Sequence, residues 1–168
     1  MHGRAVPKFF MLQKIKAKKV ADCGGNYAII ASKYNTLYVD AMLRAARAEI
    51  RRAGGNVQVV RVPGAYEIPV VAARLARQAK ADGRLSAILC LGVILRGATT
   101  HAQHVGEAVS NALAQIQVQH EMPVIHEVLL LENHRQARER CLDKNHNRGR
   151  EAARTALEMA RVMGGLAG

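Results

Sequence analysis

The chain has 168 residues, enough for one domain with a sizeable core and too few for two. Nearly half are hydrophobic and none is tryptophan, so Ala, Val, Ile and Leu must build the core. The net charge of +12 raises nucleic-acid binding, but six cations (Arg4, Lys8, Lys14, Lys16, Lys18, Lys19) lie in the first twenty residues. The others are interleaved with glutamates along helices, with no helix-turn-helix, zinc-finger or RNA-binding signature, so no nucleic-acid partner is expected. Cys23, Cys90 and Cys141 are far apart and lack metal-ligand or disulfide spacing, which predicts reduced thiols, no bound metal and a cytoplasmic location. The only apolar run near the start, Phe9–Leu12, is too short for a signal peptide or membrane span. Residues 1–20 read as a basic mobile arm and residues 21–168 as a single domain.

In chain order, Tyr27–Ala31 reads as the first core strand, stopping at Ser32-Lys33-Tyr34-Asn35. A helix should follow to about Ala53, with Leu37, Ala41, Ala45 and Ala48 inward and Gly54-Gly55-Asn56 closing it. Val57–Val62 is the second strand, broken by Pro63-Gly64-Ala65-Tyr66-Glu67. The next helix runs from Ile68 towards Ala81, with Val71, Ala72, Leu75 and Ala79 inward. Ala87–Leu95 carries no charge and predicts a strand buried on both faces. After Arg96–Thr100 comes a helix in which Val105, Ala108, Val109, Ala112, Leu113 and Ile116 recur at helical spacing, ended near Pro123. Thr100 and Gln103 have capping-box spacing, which puts the first turn near His101. Val124–Leu131 is the fourth strand and carries His126 and Glu127 within it. A short helix from Asn133 to Cys141 and a polar loop lead to a last helix, Gly149–Met163. That helix should bury Ala152, Ala153, Ala156, Met159, Ala160 and Met163.

Strand and helix alternate four times, which predicts an α/β fold of parallel strands, right-handed crossovers and helices on both faces. Such a sheet binds ligands beyond the carboxyl ends of its strands. Three loops converge there: Ser32–Asn35, Pro63–Glu67 and Arg96–His101. Strand, Gly97 turn and helix start make an anion site of free N–H groups and positive dipole. His101 at that positive end should stay neutral near pH 7. A phosphate cradle beside a neutral imidazole points to an enzyme acting on a small phosphorylated substrate. Tyr34 can stack on a planar heterocycle or pack over the sheet edge. Asn35 can cap the helix after it. Glu67 can accept hydrogen bonds from a polyol or complement the helix dipole. Arg140 and Arg148, taken alone, are surface cations.

Three segments carry a family resemblance: Val62-Pro-Gly-Ala-Tyr-Glu-Ile-Pro69, Leu91-Gly-Val-Ile-Leu-Arg-Gly-Ala-Thr-Thr-His101, and Glu139-Arg140 with Asn147-Arg148-Gly149. Together they resemble the 6,7-dimethyl-8-ribityllumazine synthases, over about Tyr27 to Met163. The resemblance implies a flavodoxin-like three-layer α/β/α sandwich with a four-stranded parallel sheet. It implies condensation of 5-amino-6-ribitylaminouracil with 3,4-dihydroxy-2-butanone 4-phosphate, the penultimate step of riboflavin synthesis, without metal or organic cofactor. It also implies a homo-oligomer, a pentamer or a multiple of one, with active sites between neighbours. By the same resemblance Tyr34 stacks on the pyrimidinedione, with Asn35 beside it. Ala65, Tyr66 and Glu67 hold the ribityl chain, and Ile94 and Leu95 border the ring. Gly97, Ala98 and Thr99 form the phosphate loop and His101 shuttles protons. Arg140 binds phosphate across the subunit interface, and Arg148 stands where the family often has lysine.

Four departures from the family pattern stand out. Ala102-Gln103-His104 replaces an aromatic–acid–aromatic run, and His126 replaces the phenylalanine by which a neighbouring subunit covers the ring. Leu142–His146 lacks the glycines of shell-forming members, and the basic arm is longer than usual. The competing reading is a non-catalytic flavin or lumazine binder on the same scaffold. His101 and Arg140 together argue against it, because holding a ring needs neither.

Overall fold

The structure, a computed structural model, describes residues 24–166; the arm read in residues 1–20 lies outside them. The strands are β1 (Asn26–Ser32), β2 (Asn56–Val62), β3 (Ala87–Leu95) and β4 (Val124–Leu131). The helices are α1 (Thr36–Arg52), α2 (Ile68–Asp82), α3 (His101–His120), α4 (His134–Ala137) and α5 (Arg148–Leu166), with a π-helical turn at Arg138–Leu142 between the last two. All strand pairs are parallel, in the order β2-β1-β3-β4. Tyr27 stands opposite Val57 and Ala87, and Cys90 opposite His126.

Alternation along β1 divides the core into two layers, because successive side chains point to opposite faces of a strand. Tyr27, Ile29 and Ala31 pack with Val39, Met42 and Ile50 of α1 and Ala153 and Leu157 of α5. Ala28 and Ile30 pack with Ile68, Ala72 and Ala76 of α2 and Val109 and Leu113 of α3. A three-layer α/β/α sandwich results. No helix among the described residues is long and apolar enough to cross a membrane.

Several details differ from the sequence reading. The inner stripe of α1 is Tyr38, Val39, Met42, Leu43, Ala46, Glu49 and Ile50, whereas Leu37 is 62% exposed. The alanines Ala41, Ala45 and Ala48 also recur at helical spacing, but the larger side chains gain more from burial and set the rotation. In α3, Ala108 is exposed. In α5, Leu157 is buried, while Met159, Ala160 and Met163 are only half-buried. The segment after β4 is not one helix. Four α-helical residues open into the π turn, and Asn147 donates its side-chain amide to the Cys141 carbonyl near that turn's end. A wider backbone bond pattern leaves no trace in apolar spacing.

Candidate active site

The sheet order places β1 between β2 and β3, while α1 leaves β1 on one face and α3 leaves β3 on the other. A crevice therefore opens between the carboxyl ends of β1 and β3, the usual ligand position in an open α/β sheet. Asn35 closes its floor. It adopts a left-handed conformation (φ 55°), which asparagine tolerates better than most residues. Its Nδ2 donates to the Val93 carbonyl at 2.7 Å, beyond the last pair of the β1–β3 ladder, Ala31 with Leu91. The side chain makes no cap bond to α1, so the capping role expected from sequence is replaced by a cross-strand one.

The loops after β1 and β2 are bonded to each other. Lys33 N–H donates to the Val62 carbonyl at 2.9 Å, and Tyr34 N–H to the Pro63 carbonyl at 3.3 Å. The Tyr34 ring lies across Gly64: a Cβ there would stand 3.1 Å from Tyr34 Cδ2 and 3.0 Å from Glu67 Oε2. A side chain at that position would need the ring and the carboxylate to give by a few tenths of an ångström. Gly64 N–H donates to Glu67 Oε2 at 2.8 Å, which engages one carboxylate oxygen within the loop. Tyr34 and Tyr66 remain 71% and 64% exposed, two aromatic rings open to solvent at one mouth of the crevice. Ala65 is buried beneath them. Ile94 and Leu95 are half-buried at the end of β3.

Across the crevice, Arg96 N–H donates to the Leu131 carbonyl at 2.8 Å and ties the start of the third loop to β4. Gly97, Ala98 and Thr99 are exposed, with open space where a Gly97 side chain would stand. The capping box expected from Thr100 and Gln103 is not formed. Thr100 makes no side-chain cap bond, and Gln103 donates instead to Glu107. Thr99 Oγ accepts from His101 N–H at 3.4 Å, a long bond. The first turn of α3 therefore keeps N–H groups free for an anion beside Gly97, with the exposed His101 at the same place.

The remaining predicted residues lie around β4, His126 on the face towards α3 and Arg148 on the face towards α5. His126 Nε2 is 2.9 Å from Ser110 Oγ of α3, and Ser110 Oγ also donates to the Gly106 carbonyl. Burial, the largest influence, holds the His126 imidazole below its ordinary pKa. Its place is five positions before Leu131, the end of the strand, or about 16 Å at the rise of a parallel strand. The histidine of one chain is thus well removed from that chain's own crevice.

Arg148 is not a free cation. Its Nε donates to Glu127 Oε1 at 2.6 Å and its NH1 to Glu151 Oε2 at 2.7 Å. Glu127 is 4% exposed, and burial, outweighing the attraction of Arg148, raises its pKa above the ordinary carboxylate value. Arg140 on the π turn is exposed and close enough to act on the charge of Glu127. Sequence reasoning noted Glu127 as an odd residue in a strand and gave it no role. Its signal was a carboxylate inside the otherwise apolar run Val124–Leu131.

The sequence profile of the family described as 6,7-dimethyl-8-ribityllumazine synthase matches residues 24–164. A 6,7-dimethyl-8-ribityllumazine synthase of Desulfotalea psychrophila is 40% identical over 146 residues, covering 85% of this chain and 92% of the relative. The chain belongs to the 6,7-dimethyl-8-ribityllumazine synthase family.

Proposed function

We propose that the protein condenses 5-amino-6-ribitylaminouracil with 3,4-dihydroxy-2-butanone 4-phosphate in the crevice between β1 and β3, releasing phosphate and two waters. The observation that carries this reading is the crevice itself. Two exposed tyrosines stand on one side, and an uncapped helix start with Gly97 and His101 stands on the other.

In this reading Tyr34 stacks on the pyrimidinedione beside Asn35, with Ile94 and Leu95 against the ring edge. Ala65, Tyr66 and the free oxygen of Glu67 hold the ribityl hydroxyls. The phosphate rests on Gly97, Ala98 and Thr99 at the positive end of α3, where backbone N–H groups favour an anion. The substrate amine attacks the ketone to form an imine, phosphate leaves by elimination, and ring closure expels water. Each step moves a proton, and His101 is the group placed to carry it. Holding both substrates in one crevice removes much of the entropic barrier, by up to about 7–11 kcal/mol in favourable cases.

Arg140, Arg148 and His126 complete the site from a neighbouring copy, which makes the working unit a homo-oligomer, a pentamer or a multiple of one. Support for this comes from the roughly 16 Å between His126 and the end of its own strand. The test is to mix purified protein with both substrates and follow lumazine absorbance together with phosphate release. Both rising in step above the uncatalysed rate is the expected result. Lumazine or riboflavin binding without turnover would instead make the chain a binder on this scaffold.

A further inference from the structure

We infer that Glu127 tunes the phosphate site: by pairing with Arg148 it limits the positive charge offered to phosphate, so that the released anion can leave. The inference rests on the proposed reaction and on Arg148 belonging to its phosphate site. Arg140 and Arg148 are both arginines after β4, but the structure makes them unequal. Arg140 has no ion-pair partner among the described residues, whereas Arg148 has two carboxylates within 2.7 Å. A guanidinium has five N–H donors. Nε and one NH1 donor are engaged, and NH2 has no hydrogen-bond partner among the described residues. Glu127 therefore aims the guanidinium and cancels part of its charge at once.

Stability alone does not account for this carboxylate. It lies on the β4 face that also carries the buried Ile125 and Leu131, where an apolar side chain would be accommodated without desolvating a charge. A buried ion pair is often no more stabilising than well-packed hydrophobic residues of similar volume. What the pair does set is charge: with Arg140, Arg148, Glu127 and Glu151 ionised, two cations face two carboxylates. The arriving phosphate meets Arg140 with no carboxylate bonded to it and Arg148 attenuated by two. Release of inorganic phosphate is then easier than from two unpaired arginines. Glu127 is accordingly a positioning residue that acts through Arg148 and does not itself touch substrate.

The test is a double-mutant cycle on the full-length chain, with inorganic phosphate as inhibitor of lumazine formation. Glu127→Gln keeps an acceptor for Arg148 Nε and removes only the charge. We expect its phosphate inhibition constant to fall roughly five- to twenty-fold, the scale of one unit charge removed near an anion in a partly screened site. In an Arg148→Gln background the same change should shift that constant less than about two-fold, because without Arg148 burial keeps the Glu127 carboxyl protonated and there is no charge to remove. Equal inhibition constants for wild type and Glu127→Gln overturn the inference while leaving the reaction intact, as does a shift that persists without Arg148. If Glu127→Gln does not fold, Glu151→Gln at the more exposed partner should move the constant the same way by a smaller factor. No shift there also overturns the inference. A wild-type protein that forms no lumazine overturns the reaction and this inference with it.

Discussion

Asn35 and Val93 are joined by a 2.7 Å hydrogen bond, amide to carbonyl, across the crevice between β1 and β3. The bond spans the point where the two strands have ceased to pair, so it ties their ends together at the floor of the site. It also explains the left-handed conformation of Asn35, which brings the amide to the opposite strand. Asn35→Gly keeps the conformation and loses the bond, at about 1 kcal/mol. Asn35→Ala loses both, at about 2 kcal/mol or more. Urea unfolding gives the stabilities, and the KM for the pyrimidine substrate should rise in both variants. Wild-type stability in the alanine variant would remove the clamp from the account.

His101 stands beside an uncapped helix start, with its backbone N–H tied only weakly to Thr99. Replacing it with alanine removes a proton carrier and leaves the crevice intact. Steady-state lumazine formation should slow by roughly 10²- to 10⁴-fold in kcat with little change in KM, the usual scale of general acid–base catalysis. Residual turnover should persist, because positioning of the two substrates is untouched. A His101→Ala variant with full kcat would assign the proton transfers elsewhere.

The strands, the crevice and its loops were legible because each is a local pattern. Ala87–Leu95 is an unbroken apolar run and Val124–Leu131 an apolar run interrupted only by His126 and Glu127, and both are observed with those limits. What sequence did not yield is long-range pairing among polar side chains. Arg148 reads as one more surface arginine until α5 brings it to Glu127, 21 residues earlier. Asn35 reads as a helix cap because its partner, Val93, is 58 residues away. The rotation of α1 failed for another reason. Both its alanine and its large apolar positions have helical spacing, and only the packing of α5 and the sheet against it decides between them.

Gly149, near the start of α5, lies directly against the backbone of α1. A Cβ there would collide with the carbonyl group of Met42, and backbone cannot yield as the tip of a flexible side chain can. Gly149→Ala should therefore push α5 away from α1 and destabilise the fold by about 3 kcal/mol or more, at the upper end of overpacking costs. Thermal and urea unfolding measure this directly. Gly97→Ala is the contrast, since open space surrounds that position, and its stability should match wild type within about 0.5 kcal/mol. A stable Gly149→Ala protein would show that α1 and α5 can separate without loss.

Two buried glutamates should give the fold opposite responses to pH. Burial is the largest influence on Glu49 and pulls its pKa up, but hydrogen bonds and charges from Arg154 and Arg52 outweigh it and hold the carboxyl below 4.5. Ionised Glu49 thus stabilises the fold above the ordinary carboxylate pKa, and that contribution is lost as pH falls through its lowered folded value. Glu127 behaves in reverse. Its folded pKa is raised above 4.5, so the native state holds the proton more tightly than the unfolded chain. Its contribution is greatest below 4.5 and is lost as pH rises through the raised value. Urea midpoints measured from well below pH 4.5 up to about pH 7 should separate the two. Glu49→Gln should flatten the loss of stability on acidification, whereas Glu127→Gln should remove a decline on the neutral side of 4.5. If Glu127→Gln left the slope on that side unchanged, the carboxylate would titrate alike in the folded and unfolded chain. Burial would then not govern its charge.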